Sequence, residues 1–327
     1  MKHTELGTSG ISISPIGLGT WQFGSKGWGW GRDFGREEAL KIVERALDLG
    51  GNLFDTAEMY GGGLSEEILG EAIRGRRDEA FVATKVSPHH LLHGSVLKAA
   101  QRSLRRLDID AIDLYQIHWP NPIIPIRRTM RAMERLVKEG KVRHIGVSNF
   151  GLSRLKSAQE ALAREEIVSN QVKYNMLQRG VEKDLLPYCE KEKVTILAYS
   201  PLAQGALTGK YTPENPPRGS VRAANPLFSS VNLRRTRELL DVLQAIGDHR
   251  KKTIAQVALN WLMRTPTVAA IPGAKSVGQL EENVASSNWE PRENELARIQ
   301  EALGQLRLSR LRSTLETPFR VVAGIFR

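Results

Sequence analysis

The sequence holds a single cysteine, Cys189, so no disulfide can form within the chain and a cysteine-built structural zinc site lacks its ligands. That scarcity fits a reducing cytoplasm. No apolar run is long enough to cross a bilayer, and Met1–Gly10 lacks the apolar core of a secretory leader, so secretion and membrane insertion are not expected. Aromatic residues make up only 6% of the chain and do not interleave with the basic runs, which argues against a nucleic-acid surface built on base stacking. Acidic side chains are the minority charge, 36 against 47 basic ones, for a net +11. A surplus of that sign concentrates anionic ligands without naming them. Runs such as Arg74-Gly75-Arg76-Arg77 and Arg102-Ser103-Leu104-Arg105-Arg106 read as solvated helix faces. No spacing of His, Cys, Asp and Glu marks a metal site.

What remains is an ordinary globular balance, 41% hydrophobic and 25% charged over 327 residues, long enough for two medium domains or one large barrel. Short apolar runs alternate with helix-period segments. The candidate strands are Ile16–Gly19, Asn52–Asp55, Phe81–Val86, Ile112–His118, His144–Val147, Val168–Gln171, Thr195–Tyr199 and Val268–Ile271. Between them Ala39, Ile42, Val43 and Ala46 share one helix face that stops at Gly50-Gly51, and Leu97, Ala100, Leu104 and Leu107 share another behind Ser95. Eight strands alternating with helices imply a parallel sheet closed into an α/β (β/α)₈ TIM barrel. An open doubly wound sheet is disfavoured because Gly17-Leu18-Gly19-Thr20-Trp21-Gln22 lacks the third glycine of a dinucleotide turn. Ahead of the barrel, Thr4–Leu6 and Ile11–Ile13 flank Gly7–Gly10 as a β-hairpin placed to plug the floor. After Pro291 a helix runs to about Leu303, and the basic tail 307–327 has no assignable pattern. Nothing divides the chain, so residues 1–327 are expected to form one unit.

Asp55 closes the second strand, Lys85 lies near the end of the third, and His118 ends the fourth. Each is one βα unit from the next, so all three reach the C-terminal mouth of the barrel, where catalysis occurs in this fold. Tyr60, in the loop after Asp55, folds back over the same place. A phenol is too weak an acid for easy proton transfer at neutral pH, and the Lys85 ammonium is expected to lower its pKa. Asp55 would hold that amine and keep it charged. His118 would donate a hydrogen bond to a substrate oxygen. Together they suit protonation of an oxygen that is becoming an alkoxide.

Asn52-Leu53-Phe54-Asp55-Thr56-Ala57-Glu58-Met59-Tyr60-Gly61, Ala83-Thr84-Lys85, Tyr115-Gln116-Ile117-His118-Trp119-Pro120 and Gly146-Val147-Ser148-Asn149-Phe150 resemble the signatures of the aldo-keto reductases. The resemblance spans residues 4 to 303. It implies that Tyr60 is the general acid, that Lys85 and Asp55 tune it, and that His118 orients a carbonyl. It also implies an extended NADP(H), with Thr20, Trp21 and Asp55 near the nicotinamide, Ser148, Asn149 and Gln171 on its carboxamide, and Tyr199 beneath its ring. Ser200, Pro201, Leu202, Gln204 and Lys210 belong to a run similar to the pyrophosphate-covering segment. Gly273, Lys275, Gln279, Glu282 and Asn283 belong to one similar to the adenosine-phosphate site, where a glycine turn feeds a helix N-terminus. Gln279 stands where many relatives carry arginine, which weakens one contact to the 2′-phosphate; Lys275 compensates, and NAD(H) stays open.

The expected activity is reduction of aldehydes or ketones, with small-molecule substrates and neither nucleic acid nor membrane as partner. Trp21 and Trp119, with the loop 213–228, would shape an apolar substrate pocket. The alternative is a nucleotide-binding regulatory protein with little turnover, since the resemblance extends to potassium-channel β subunits.

Overall fold

A computed structural model describes residues 3–217, 222 and 225–309. Strands Thr4–Glu5 (β1) and Ser12–Ile13 (β2) pair antiparallel as the expected hairpin. The main sheet then takes its strands in chain order: Leu18–Gly19 (β3), Leu53–Asp55 (β4), Phe81–Val86 (β5), Ile112–Ile117 (β6), Val142–Ser148 (β7), Ile167–Lys173 (β8), Thr195–Tyr199 (β9) and Val268–Ala270 (β10), each parallel to the next. Parallel bridges Ile16–Ala270 and Gly19–Gly273 join the last strand to the first, and the Gly17 N–H donates to the Ala270 carbonyl at 2.8 Å. Hydrogen bonding therefore runs around the ring, and the sheet is the expected (β/α)₈ barrel.

Helices cover its outside. Arg36–Asp48 (α1) buries Ala39, Ile42, Val43 and Ala46 and ends where Gly50 turns left-handed at φ 76°, its N–H on the Leu47 carbonyl. Leu64–Ile73 (α2) precedes β5, and His93–Leu107 (α3) follows it. Helix α3 starts two residues before Ser95, so Ser95 is inside the first turn and the Leu92 carbonyl takes its N–H. Ile126–Lys138 (α4), Leu152–Glu160 (α5) and Leu185–Lys191 (α6) continue the alternation. The long β9–β10 connection contains Ser230–Arg235 (α7), Arg237–Arg250 (α8) and Ile254–Met263 (α9). Val277–Val284 (α10) and Glu293–Gln305 (α11) complete the described chain. Of the basic tail only 307–309 are described, and 310–327 lie outside.

Two apolar layers hold this together. Inside the barrel, Leu53, Phe81, Ala83, Leu114, Val168, Leu197 and Ala269 meet Leu6 and Ile13 of the hairpin, so the floor is plugged as the sequence implies. The larger layer lies between strands and helices and includes Cys189, whose thiol burial pushes up to about 12, a packing group rather than a nucleophile. The basic runs differ from expectation. Arg77 reaches Asp113 at 2.7 Å and Arg106 reaches Glu66 at 2.6 Å, with the arginine side chains only 24% and 20% exposed. Arg77 ties the turn after α2 to Asp113 on β6 and Arg106 ties α3 to Glu66 on α2, because Asp113 and Glu66 are buried and need a counter-charge, while Arg74 and Arg105 stay exposed. Among the described residues no helix is long and apolar enough to cross a membrane.

Candidate active site

The C-terminal ends of the strands open on one cleft of about 2840 Å³. Asp55 is the last residue of β4, Lys85 the penultimate residue of β5, and His118 follows β6 directly. Register places them side by side, with Asp55 opposite Ala83 and Lys85 opposite Gln116. Lys85 is fully buried, and its ammonium donates to Asp55 Oδ1 at 2.7 Å, to the Thr56 carbonyl at 2.8 Å and to the Tyr60 hydroxyl at 3.3 Å. Its charge also lies 4.8 Å from the centre of the Tyr60 ring. The imidazole of His118 meets that ring edge-on, centroids 5.7 Å apart. Thus the four residues singled out as catalytic come together.

Their protonation differs from the sequence expectation. Burial pushes the Tyr60 phenol well above its ordinary pKa, and the Asp55 carboxylate pushes the same way. Lys85 does not reverse this, because its ammonium already faces Asp55, and burial pulls the amine itself down while Asp55 holds it up. Tyr60 therefore stays a protonated phenol across neutral pH. Burial, then the charge of Lys85, hold His118 well below the usual imidazole range, so it is neutral there. Its Nδ1 finds no partner among the described residues.

Around this core the cleft changes character. Gln171 donates to Asp55 Oδ2 at 2.6 Å, the Ser148 hydroxyl to the Gln171 carbonyl at 2.9 Å, and the Asn149 amide to the His118 carbonyl at 3.0 Å. The Tyr199 hydroxyl donates to Asn149 Oδ1 at 2.9 Å. Ser148, Asn149, Gln171 and Tyr199 all line the cleft. Beyond them Ser200, Pro201, Leu202 and Gln204 form a tight turn in which Ser200 and Gln204 have φ of 50° and 59°. The far end is cationic, with Lys210, Arg222 and Lys275 on its walls. Burial and the neighbouring charges of Arg222, Lys210 and Arg32 pull the Lys275 amine down against the opposing pull of Asp33, the sign of a site short of negative charge.

Gly273, Gln279, Glu282 and Asn283 also line that end. All four are partly engaged: Gln279 Oε1 accepts the Lys275 backbone N–H at 3.0 Å, Glu282 accepts the Thr253 hydroxyl at 2.6 Å, and the Asn283 amide donates to the Gly273 carbonyl at 3.5 Å. Thr20 is placed differently from expectation. It is fully buried beneath the cleft, its hydroxyl on the Asp55 carbonyl at 2.9 Å and against Ser65 Oγ at 2.7 Å. Its hydroxyl there supports the end of the strand that carries Asp55. Trp21 and Trp119 line the mouth, with Asn225, Pro226 and Leu227 from the 213–228 loop; residues 218–221, 223 and 224 of that loop lie outside the described residues.

Two residues of the site escape sequence reasoning. Gln116 is fully buried and reaches Asp55 Oδ2 at 3.4 Å; it stands two residues before His118, so strand alternation was a signal for it. Arg222 sits 4.8 Å over the Trp28 ring and donates to the Gln204 carbonyl at 2.9 Å, a placement no local pattern announces.

The aldo/keto reductase family signature matches residues 15–303. The chain belongs to that family. It is 48% identical over 290 residues to an uncharacterized oxidoreductase of Mycobacterium tuberculosis, covering 89% of each chain. It is 34% identical over 311 residues to an NADH-specific methylglyoxal reductase of Escherichia coli, covering 88% of this chain and 94% of that one. The crystal structure of an aldo-keto reductase of Klebsiella pneumoniae in complex with NADPH superposes with a TM-score of 0.77 at 32% identity, covering 94% of this chain and 99% of that one.

Proposed function

We propose that this aldo/keto reductase family protein reduces aldehydes or ketones to alcohols with NADP(H), Tyr60 supplying the proton. The observation that carries the reading is the Tyr60 phenol and the His118 imidazole facing one cleft, centroids 5.7 Å apart, with the phenol 3.3 Å from the ammonium of a buried lysine–aspartate pair.

The cleft suits a phosphorylated dinucleotide in its donor set. One end offers amides, a serine hydroxyl and the Tyr199 ring; the other gathers Lys210, Arg222 and Lys275 around too little negative charge. When bound, NADP(H) supplies the hydride that a carbonyl carbon accepts. Ser148, Asn149, Gln171 and Tyr199 would hold its nicotinamide end, and Lys275 with Gln279 its 2′-phosphate end. As the carbonyl oxygen gains negative charge it becomes far more basic than a phenol, so Tyr60 gives up its proton despite its raised pKa. The phenolate left behind forms 3.3 Å from the Lys85 ammonium, which stabilises it in a site of low dielectric. Neutral His118 has an N–H to offer the same oxygen, and Trp21 and Trp119 would pack the apolar part of the substrate.

The NADPH complex of the Klebsiella protein favours NADPH, and the NADH specificity of the Escherichia coli relative keeps NADH as the alternative. Lys275 distinguishes them. Lys275→Ala is expected to raise the Kd for NADPH about 10- to 100-fold, the worth of one charge-assisted phosphate contact, and to leave NADH within about threefold. Quenching of tryptophan fluorescence on titration reads both.

Turnover tests the activity itself. Purified protein mixed with NADPH and 4-nitrobenzaldehyde should consume many equivalents of cofactor and form the alcohol in equal amount. Tight NADPH binding with no turnover across a broad aldehyde and ketone panel would instead support the nucleotide-binding regulatory reading.

A further inference from the structure

Two residues before Tyr60, Glu58 carries a carboxylate that is only 5% exposed and that no step above uses. It accepts three hydrogen bonds, all from the segment that follows Lys85: from the Ser87 N–H at 2.6 Å, from His90 Nδ1 at 2.9 Å and from Arg102 Nη2 at 3.2 Å. On the other side of Tyr60 the chain is held by backbone contacts alone, such as the Gly62 N–H on the Met59 carbonyl at 3.3 Å. Gly61, Gly62 and Gly63 all have left-handed φ, 58°, 67° and 105°, and a Cβ on Gly61 would meet the Gly24 Cα at 2.9 Å. That run has no side chain to pack and the weakest torsional preference a chain can have. The phenol itself touches its polar neighbour Lys85 only at 3.3 Å.

We propose that Glu58 is a positioning residue for Tyr60, a buried anchor that fixes the turn to the segment leaving the strand that carries Lys85 while the glycine run lets the phenol reach the cleft. Through Arg102 and Ser87 the turn is tied both to α3 and to the loop leaving β5. This rests on the reading of Tyr60 as proton donor. Removing the anchor leaves three donors facing a hole and a turn free to shift by a fraction of an ångström, with the cofactor-lining residues untouched.

The test is the single-turnover rate of protein preloaded with NADPH, on addition of 4-nitrobenzaldehyde, for wild type, Glu58→Ala, Glu58→Gln and Tyr60→Phe. Misplacing a reacting group by about 1 Å costs on the order of 10²-fold, so Glu58→Ala is expected to slow the step about 10- to 100-fold. NADPH affinity should stay within about twofold, and the solvent deuterium isotope effect should grow as the proton step becomes slower. Glu58→Gln, which keeps the volume and one acceptor, should recover part of the rate; if Glu58→Ala does not fold, Glu58→Gln is judged by the same criteria. A Glu58 variant with wild-type rate would overturn the inference. So would rate, NADPH affinity and thermal midpoint falling together, which marks a structural role only. If Tyr60→Phe itself keeps turnover, the reading of Tyr60 fails first.

Discussion

Tyr60→Phe should lower the rate of carbonyl reduction by roughly 10³-fold while leaving NADPH binding intact. General acids contribute on the order of 10²- to 10⁴-fold, and Tyr60 has no obvious substitute, because His118 is neutral and Lys85 is engaged by Asp55. The substitution is also clean. Phenylalanine keeps the edge contact with His118, the neighbouring Trp21 ring 6.4 Å away and the position under the Lys85 charge, and loses only the 3.3 Å hydrogen bond. Stability should therefore change by less than about 1 kcal/mol. Cofactor absorbance reads the rate, and fluorescence titration the binding.

Lys85→Met should lose both turnover and stability. Methionine fills a similar volume but leaves the Asp55 carboxylate, 3% exposed, without its ammonium partner, and the Thr56 carbonyl without a donor. Breaking one side of a buried ion pair costs about 3–5 kcal/mol, because the remaining charge stays desolvated. Denaturant unfolding would show this as a lower midpoint with little change in slope. Adding Asp55→Asn should restore most of the stability and none of the turnover, since the variant then buries two neutral groups and still lacks the cation beside the phenol. A single variant as stable as wild type would mean that Asp55 finds another partner.

Much of this site is legible in the sequence because the barrel has a simple period. Asp55, Lys85 and His118 each stand at a strand end one βα unit apart, and once the strands are placed their meeting follows. Gln116 was readable by the same alternation. Tyr60 depends on a turn rather than a strand, and only its closeness in the chain and the family likeness mark it. Residue type and spacing say which charges are near the phenol but not how much water has left it; burial and Asp55 outweigh Lys85, so the expected lowering becomes a raising. Thr20 shows the same limit, since whether a hydroxyl faces the cleft or the strand beneath it depends on one turn of backbone. Arg222 is set by a contact with Trp28 across nearly two hundred residues of chain, which no local pattern contains.

The claim at the centre is a half-buried phenol that remains protonated and hands its proton to the forming alkoxide. Measuring kcat in both directions across about pH 6 to 9 tests it most directly, a range that brackets the ordinary imidazole pKa and stays below the phenol's. With Tyr60 as the acid and its pKa raised, reduction should be flat over that range. Alcohol oxidation, which needs the phenolate as base, should climb steadily with pH. Reduction that instead falls as pH rises through the imidazole range would assign the proton to His118 and contradict the role given to Tyr60.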